Sequence, residues 1–264
     1  MIYELSHAMS KYVPALSLKL ADFVFWSDDF RPQQFKKPYK FLNMKKTLLL
    51  VTLFWSMTSF IQEKPKKVIF FGDSITQAGV QPTGYITKIG QMLEKQGLKD
   101  KYELIGAGIG GNKIYDLYLR LEDDVLNKKP DIVIIYVGVN DVWHKATSGT
   151  GTDLDKFEKF YQTLINKMKA NNIKVIVCTP AAIGERTDAS NQQDGDLNLY
   201  SKSIRNLATK NELPICDLRK EFQDYNVKNN PENKEKTILT TDRVHLNELG
   251  NQFVADKMLP LILK

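Results

Sequence analysis

Gly72-Asp73-Ser74-Ile75-Thr76 closes an apolar run and sets a serine hydroxyl where a strand hands over to a helix. A serine hydroxyl is a weak nucleophile until a base takes its proton. Beyond residue 61 the chain has two histidines, His144 and His245, and His245 follows Asp242 by three positions. In a turn, that spacing lets the carboxylate hold one ring nitrogen and leave the other free to act as a base. Asn140, in Gly138-Val139-Asn140-Asp141, and the glycines of Gly108-Ile109-Gly110-Gly111-Asn112 add a carboxamide and unshielded backbone N–H groups. Such donors hold the negative charge that develops on a carbonyl oxygen under attack. Nucleophile, base, orienting acid and oxyanion donors are the parts of acyl transfer.

Each block alone supports a plainer reading. Gly-Asp-Ser also describes a helix start, since Asp and Ser are good N-caps. Asn140 could be a turn residue. His144 follows it on what reads as a loop with no acidic partner, and is expected to be a solvated histidine or a substrate contact. Within the glycine cluster, Gly110 competes with Gly111 as the donor. Asp73, Asn112 and Asp141, next to the reacting groups in sequence, are candidate substrate contacts. Asp73, Asn140, Asp141, His144, Asp242 and His245 could also be read as hard-metal ligands of a phosphoesterase. Dinuclear sites of that kind use more histidines, so no metal and no cofactor are expected. A non-catalytic binding module would have no need for the acid and base together.

These groups need a scaffold that gathers them. Val68–Phe71, Tyr102–Ile105, Ile132–Val137, Ile173–Cys178 and Pro214–Cys216 read as strands, the third apolar throughout as in a parallel strand covered on both faces. Helices fit roughly Tyr85–Gln96, Ile114–Leu126, Leu154–Asn171, Leu197–Asn211, Leu218–Tyr225 and Asn247–Leu259, the last with Leu249, Phe253, Val254 and Met258 on one stripe. Alternating strands and helices imply an α/β fold with a five-stranded parallel sheet, forming one domain over 64–264. Ser74, Gly111 and Asn140 then fall at the carboxyl edge of the sheet, where such folds bind ligands. The polar loops 144–153, 183–196 and 226–240 are expected to shape the substrate mouth. Cys178 and Cys216 are expected to be buried free thiols.

Of the net charge of +6, residues 1–61 carry eight Lys/Arg against four Asp/Glu. The rest is nearly balanced, which argues against a nucleic-acid partner. Met44-Lys45-Lys46 ahead of Thr47–Trp55 has the charged and apolar regions of a signal peptide over 44–62. Export to the periplasm or the medium is expected, with a signal anchor as the lesser alternative and membrane contact only through this leader. Residues 1–43 read as an over-extended start.

The four blocks, in this order, resemble the GDSL esterase/lipase family of the SGNH hydrolases. The resemblance implies a flavodoxin-like three-layer α/β/α fold. It assigns Ser74 as nucleophile and backbone oxyanion donor, Gly111 and Asn140 as further donors, His245 as base and Asp242 as its orienting acid. Leu246 stands where many members have proline. The expected reaction is ester hydrolysis through a serine-bound acyl group. The absence of an apolar lid segment favours a short acyl group, acetyl above all, on a carbohydrate or similar polar alcohol, over a lysophospholipid.

Overall fold

The apolar runs form five strands of one parallel sheet, in a computed structural model that describes residues 64–264. They are β1 (Lys66–Gly72), β2 (Tyr102–Gly108), β3 (Ile132–Tyr136), β4 (Lys174–Cys178) and β5 (Ile215–Cys216), in the order β2-β1-β3-β4-β5. Every residue of β3 is buried, which is why its sequence carries no alternation between apolar and polar. In-register pairing of Phe71 with Ile135 and of Ile135 with Val177 aligns the carboxyl ends of β1, β3 and β4. The expected leader over 44–62 and the segment 1–43 lie outside the described residues.

The connections are helical: α1 (Ser74–Gly79), α2 (Tyr85–Lys95), α3 (Ile114–Leu119), α4 (Leu121–Asp124), α5 (Val139–Ser148), α6 (Leu154–Ala170), α7 (Asp194–Asn211), α8 (Leu218–Asn229) and α9 (Glu248–Leu263). On one side α2 packs on α9, and Phe222 of α8 meets Phe253 of α9 edge to face. On the other, α3 packs on α6 and α6 on α7. The α/β fold and its flavodoxin-like strand order are those expected. Phe70, Phe71, Tyr85, Phe157 and Tyr161 are fully enclosed between the layers, each large apolar side chain contributing about 1.5–3 kcal/mol by leaving water. Cys178 and Cys216 are register partners on β4 and β5, both free and buried.

Three local expectations are corrected. The single helix expected over 114–126 breaks at Arg120, whose side chain turns inward instead. Its guanidinium stacks on Phe71 at 4.5 Å and donates to the carbonyls of Gly72 (2.7 Å) and Ala107 (3.0 Å), and to Asn112 Oδ1 (2.8 Å). The chain after Asn140 is not a loop but α5, which shortens the expected loop at 144–153. Leu249 is half exposed, because α9 turns Gly250, Asn251, Val254, Ala255, Met258 and Leu259 inward. Asn251 takes a core position because its Oδ1 accepts the N–H of Tyr85, tying α9 to α2.

Candidate active site

Ser74 is the first residue of α1, and Asp73 before it caps the helix by accepting the N–H of Ile75 at 3.0 Å. This short helix lies close over the end of β2. A side chain at Gly108 would begin 2.1 Å from the backbone nitrogen of Gln77, so only glycine admits the approach. Asp73 is buried, and burial pushes its carboxyl up to about 7. Facing inward beneath the serine, it holds the turn and has no surface on which to meet a substrate.

His245 is joined to Ser74 across 171 positions of sequence: Nε2 stands 2.9 Å from Oγ. Its Nδ1 lies 2.7 Å from Asp242 Oδ2, while Asp242 Oδ1 accepts the backbone N–H groups of His245 (2.8 Å) and Val244 (3.1 Å). An ionised carboxylate only accepts, so Nδ1 carries the ring proton and Nε2 is left to take the serine's. Burial alone would raise the Asp242 pKa. The hydrogen bonds from the His245 ring and backbone outweigh it and hold the carboxyl below its ordinary value.

The turn carrying this pair is held in a demanding shape. Arg243 has φ +94, a left-handed conformation that costs a residue with a side chain about 1–3 kcal/mol. Its carbonyl accepts the N–H of Gly184 at 2.9 Å, and its N–H meets Thr240 Oγ1 at 3.2 Å. Glu185, 1% exposed, supplies the main clamp. Its carboxylate accepts the N–H groups of Ile238 (2.8 Å), Leu239 (2.6 Å) and Thr240 (2.8 Å), three charge-assisted bonds that fix the approach to Asp242.

The two other expected donors come from the segment after β2 and from the start of α5. Asn140, buried at the start of α5, gives one amide hydrogen to the carbonyl of Asn112 (3.1 Å), which orients its carboxamide. In the glycine cluster, the N–H of Gly110 is taken by Gln77 Oε1 at 2.9 Å. That distinguishes the two glycines: Gly111, at φ +76 where glycine is favoured, has no such side-chain partner on its N–H among the described residues. Lys113 Nζ ties down the Gly111 carbonyl at 3.1 Å. The Ser74 N–H belongs to the first turn of a helix, where backbone donors lack helical partners.

Asp141 and Asn112, expected near substrate, are engaged with the protein. Asp141 is fully buried, accepts the N–H of Ile114 at 3.2 Å, and is pushed up by burial to about 6. Asn112 bonds Arg120 and Asn140. His144 is on a helix, not a loop, and its ring carbon stands 3.9 Å from where a Gly111 side chain would begin. Desolvation, then the Lys113 charge, lowers its pKa. Trp143 packs edge-on against the His245 ring at 6.4 Å. Asn140, Trp143 and His144 share one face of α5 by their spacing. Among the described residues no three His, Cys, Asp or Glu side chains cluster as metal ligands would.

Sequence reasoning did not single out Glu185, Arg120, Lys113 or Trp143 for the site. A signal for Glu185 existed, an acidic residue ending an apolar stretch, but its three partners lie more than fifty positions away.

Comparison with known proteins gives a consistent picture. Residues 70–253 match the model of the GDSL-like Lipase/Acylhydrolase family. A crystal structure of an acetyl xylan esterase, AlAXEase, is 68% identical, with a TM-score of 0.73 over 74% of this chain and 98% of that one. An acetylxylan esterase of Geobacillus stearothermophilus is 27% identical over 212 residues, covering 74% of this chain and 92% of the relative. An uncharacterized lipoprotein, YqeF, of Bacillus subtilis (strain 168) is 24% identical over 197 residues, 68% of this chain and 81% of the relative.

Proposed function

The chain belongs to the GDSL-like lipase/acylhydrolase family, and we propose from that premise that it is a serine esterase that removes acetyl groups from a carbohydrate, with Ser74, His245 and Asp242 carrying the reaction. The observation behind this reading is the Ser74 Oγ–His245 Nε2 contact of 2.9 Å, with Asp242 on the opposite ring nitrogen at 2.7 Å. The relatives named as acetylxylan esterases support the acetyl group and the glycan.

In the reaction, His245 Nε2 takes the Ser74 proton as Oγ bonds to the ester carbonyl carbon. The carbonyl oxygen, now negative, is held by the N–H groups of Ser74 and Gly111 and by the Asn140 amide. The imidazolium, stabilised by Asp242, gives its proton to the departing sugar hydroxyl, leaving acetyl on Ser74. Water then attacks that ester with His245 again as base, and acetate leaves. These steps use protein groups and one water. The lipoprotein relative and the leader expected from the sequence at Met44 support action outside the cytoplasm, where polymeric glycans are met.

Trp143 and His144 support a small acyl group, since they place ring bulk beside the base and the Gly111 donor. The test is release of acetate from acetylated xylan, alongside turnover of p-nitrophenyl acetate and octanoate. Acetate release and a strong preference for the short ester are expected. Preference for octanoate, with no release from xylan, would favour a lipid ester instead. Asn140→Ala should lower kcat by about 10²- to 10³-fold, the usual cost of one oxyanion donor, with little change in KM. A change confined to KM would contradict the role.

A further inference from the structure

One side chain outside the reacting set touches the supports of all three oxyanion donors assigned above. Arg120 uses all five of its N–H groups. Nη2 donates to the carbonyls of Gly72 (2.7 Å) and Ala107 (3.0 Å), and Nη1 to Ala107 (3.0 Å) and Asp124 Oδ2 (2.6 Å). Nε donates to Asn112 Oδ1 at 2.8 Å. The ion pair with Asp124, four positions on, accounts for one of these bonds. The others end on the carboxyl ends of β1 and β2 and on the segment that follows β2.

Those are the places from which the donors depart. Gly72 is the last residue of β1, two positions before Ser74. Ala107 sits opposite Phe71 in the pairing of β1 with β2, four positions before Gly111. Asn112 follows Gly111 directly, and its own carbonyl accepts one amide hydrogen of Asn140 at 3.1 Å. The two hydrogens of a carboxamide share one rigid plane, so the bond made by one fixes the direction of the other. A shift of the Asn112 carbonyl therefore turns the Asn140 donor. None of the Arg120 hydrogen bonds goes to Ser74, His245 or Asp242.

We propose that Arg120 is a positioning residue for the oxyanion site, acting through Asn112 on Asn140. This rests on the esterase reading above and extends it from the donors to the side chain that sets their spacing. A preorganised donor acts only where the oxyanion forms, and a misplacement of about 1 Å can cost about a hundredfold in rate. Lysine is no substitute here. Its ammonium offers three donors from one point, whereas the guanidinium fork spans Gly72, Ala107 and Asn112 at once.

The test measures kcat and KM on p-nitrophenyl acetate for Arg120→Lys, for Asn112→Ala, and for each combined with Asn140→Ala. Arg120→Lys keeps a positive charge beside Asp124 and loses the fork. Asn112→Ala keeps the carbonyl that bonds Asn140 and loses only the Oδ1 that Arg120 holds. Asn112 is half-buried, so this variant should fold. Each single change is expected to lower kcat about tenfold, with KM within about twofold and the pH profile of kcat/KM unmoved. In the Asn140→Ala background each should cost less than about twofold, since the donor being aimed is already gone. A kcat within about twofold of wild type in either folded variant would overturn the proposal. So would losses that multiply fully with that of Asn140→Ala, or a shifted pH profile, which would place the effect on His245. If circular dichroism shows that Arg120→Lys does not fold, Asn112→Ala decides by the same criteria. Absence of ester turnover by the wild type would overturn the esterase reading together with this one. Turnover untouched by the variants would overturn this one alone.

Discussion

Ser74→Ala is expected to reduce kcat on p-nitrophenyl acetate by about a million-fold, and His245→Ala by a similar factor. Neither half of the pair works alone. Without the imidazole 2.9 Å from Oγ, the hydroxyl keeps its proton and its nucleophilicity stays low. Without the hydroxyl, the base has no bound nucleophile to activate. The double variant should therefore be no worse than either single one, because the second change removes an interaction already lost. Ser74 is partly exposed on the first turn of α1 and His245 is partly exposed on its loop, so both variants should fold. Circular dichroism and melting temperature check that, and initial rates measure the rest. Losses that multiply in the double variant would mean that the two side chains act in separate steps.

Asp242→Asn should cost about 10³- to 10⁴-fold in kcat while leaving the turn intact. The asparagine Oδ1 can still accept the N–H groups of Val244 and His245, which now bond Asp242 Oδ1 at 3.1 and 2.8 Å. What changes is the other end. An amide NH₂ facing Nδ1 favours the tautomer with its proton on Nε2, the wrong nitrogen for accepting from Ser74. The charge that stabilises the imidazolium also disappears. Half of the Asp242 side chain is exposed, so water screens part of that charge, and the lower end of the range is favoured. Asp242→Ala should be at least as damaging, since it also removes the acceptor for two backbone N–H groups. Activity within a few-fold of wild type in Asp242→Asn would show that the carboxylate does not orient the base.

How much of this could be read from the chain depended on the range of the interactions. The Gly72–Thr76 turn, the Asp242–His245 spacing and the continuous apolar run of β3 are local, and the structure keeps them as they read. The choice between Gly110 and Gly111 was not legible, because it turns on Gln77 Oε1 reaching the Gly110 N–H from another element. The break at Arg120 was hidden for the same reason: its partners are the carbonyls of Gly72 and Ala107 on two strands. Leu249 fitted a helical stripe in sequence, but α9 is rotated so that the amide of Asn251 faces the core and anchors Tyr85. Asp73 and Asp141 lay beside the reacting groups in sequence, yet both are inside the protein. Proximity along the chain says nothing about which way a side chain turns at a strand end. Glu185 has the same lesson in reverse, since a carboxylate far from His245 in sequence clamps the loop that carries it.

Ser74 is expected to become covalently bound during turnover. A fluorophosphonate reacts with a serine only when a base activates it and oxyanion donors hold the incoming oxygen. The protein should be treated with such a reagent, digested, and the modified peptide identified by mass. One adduct is expected, on the peptide containing Ser74, absent in Ser74→Ala and suppressed in His245→Ala. An unlabelled Ser74 in an enzyme that is still turning over ester, or a stoichiometric adduct on another residue with loss of activity, would contradict it.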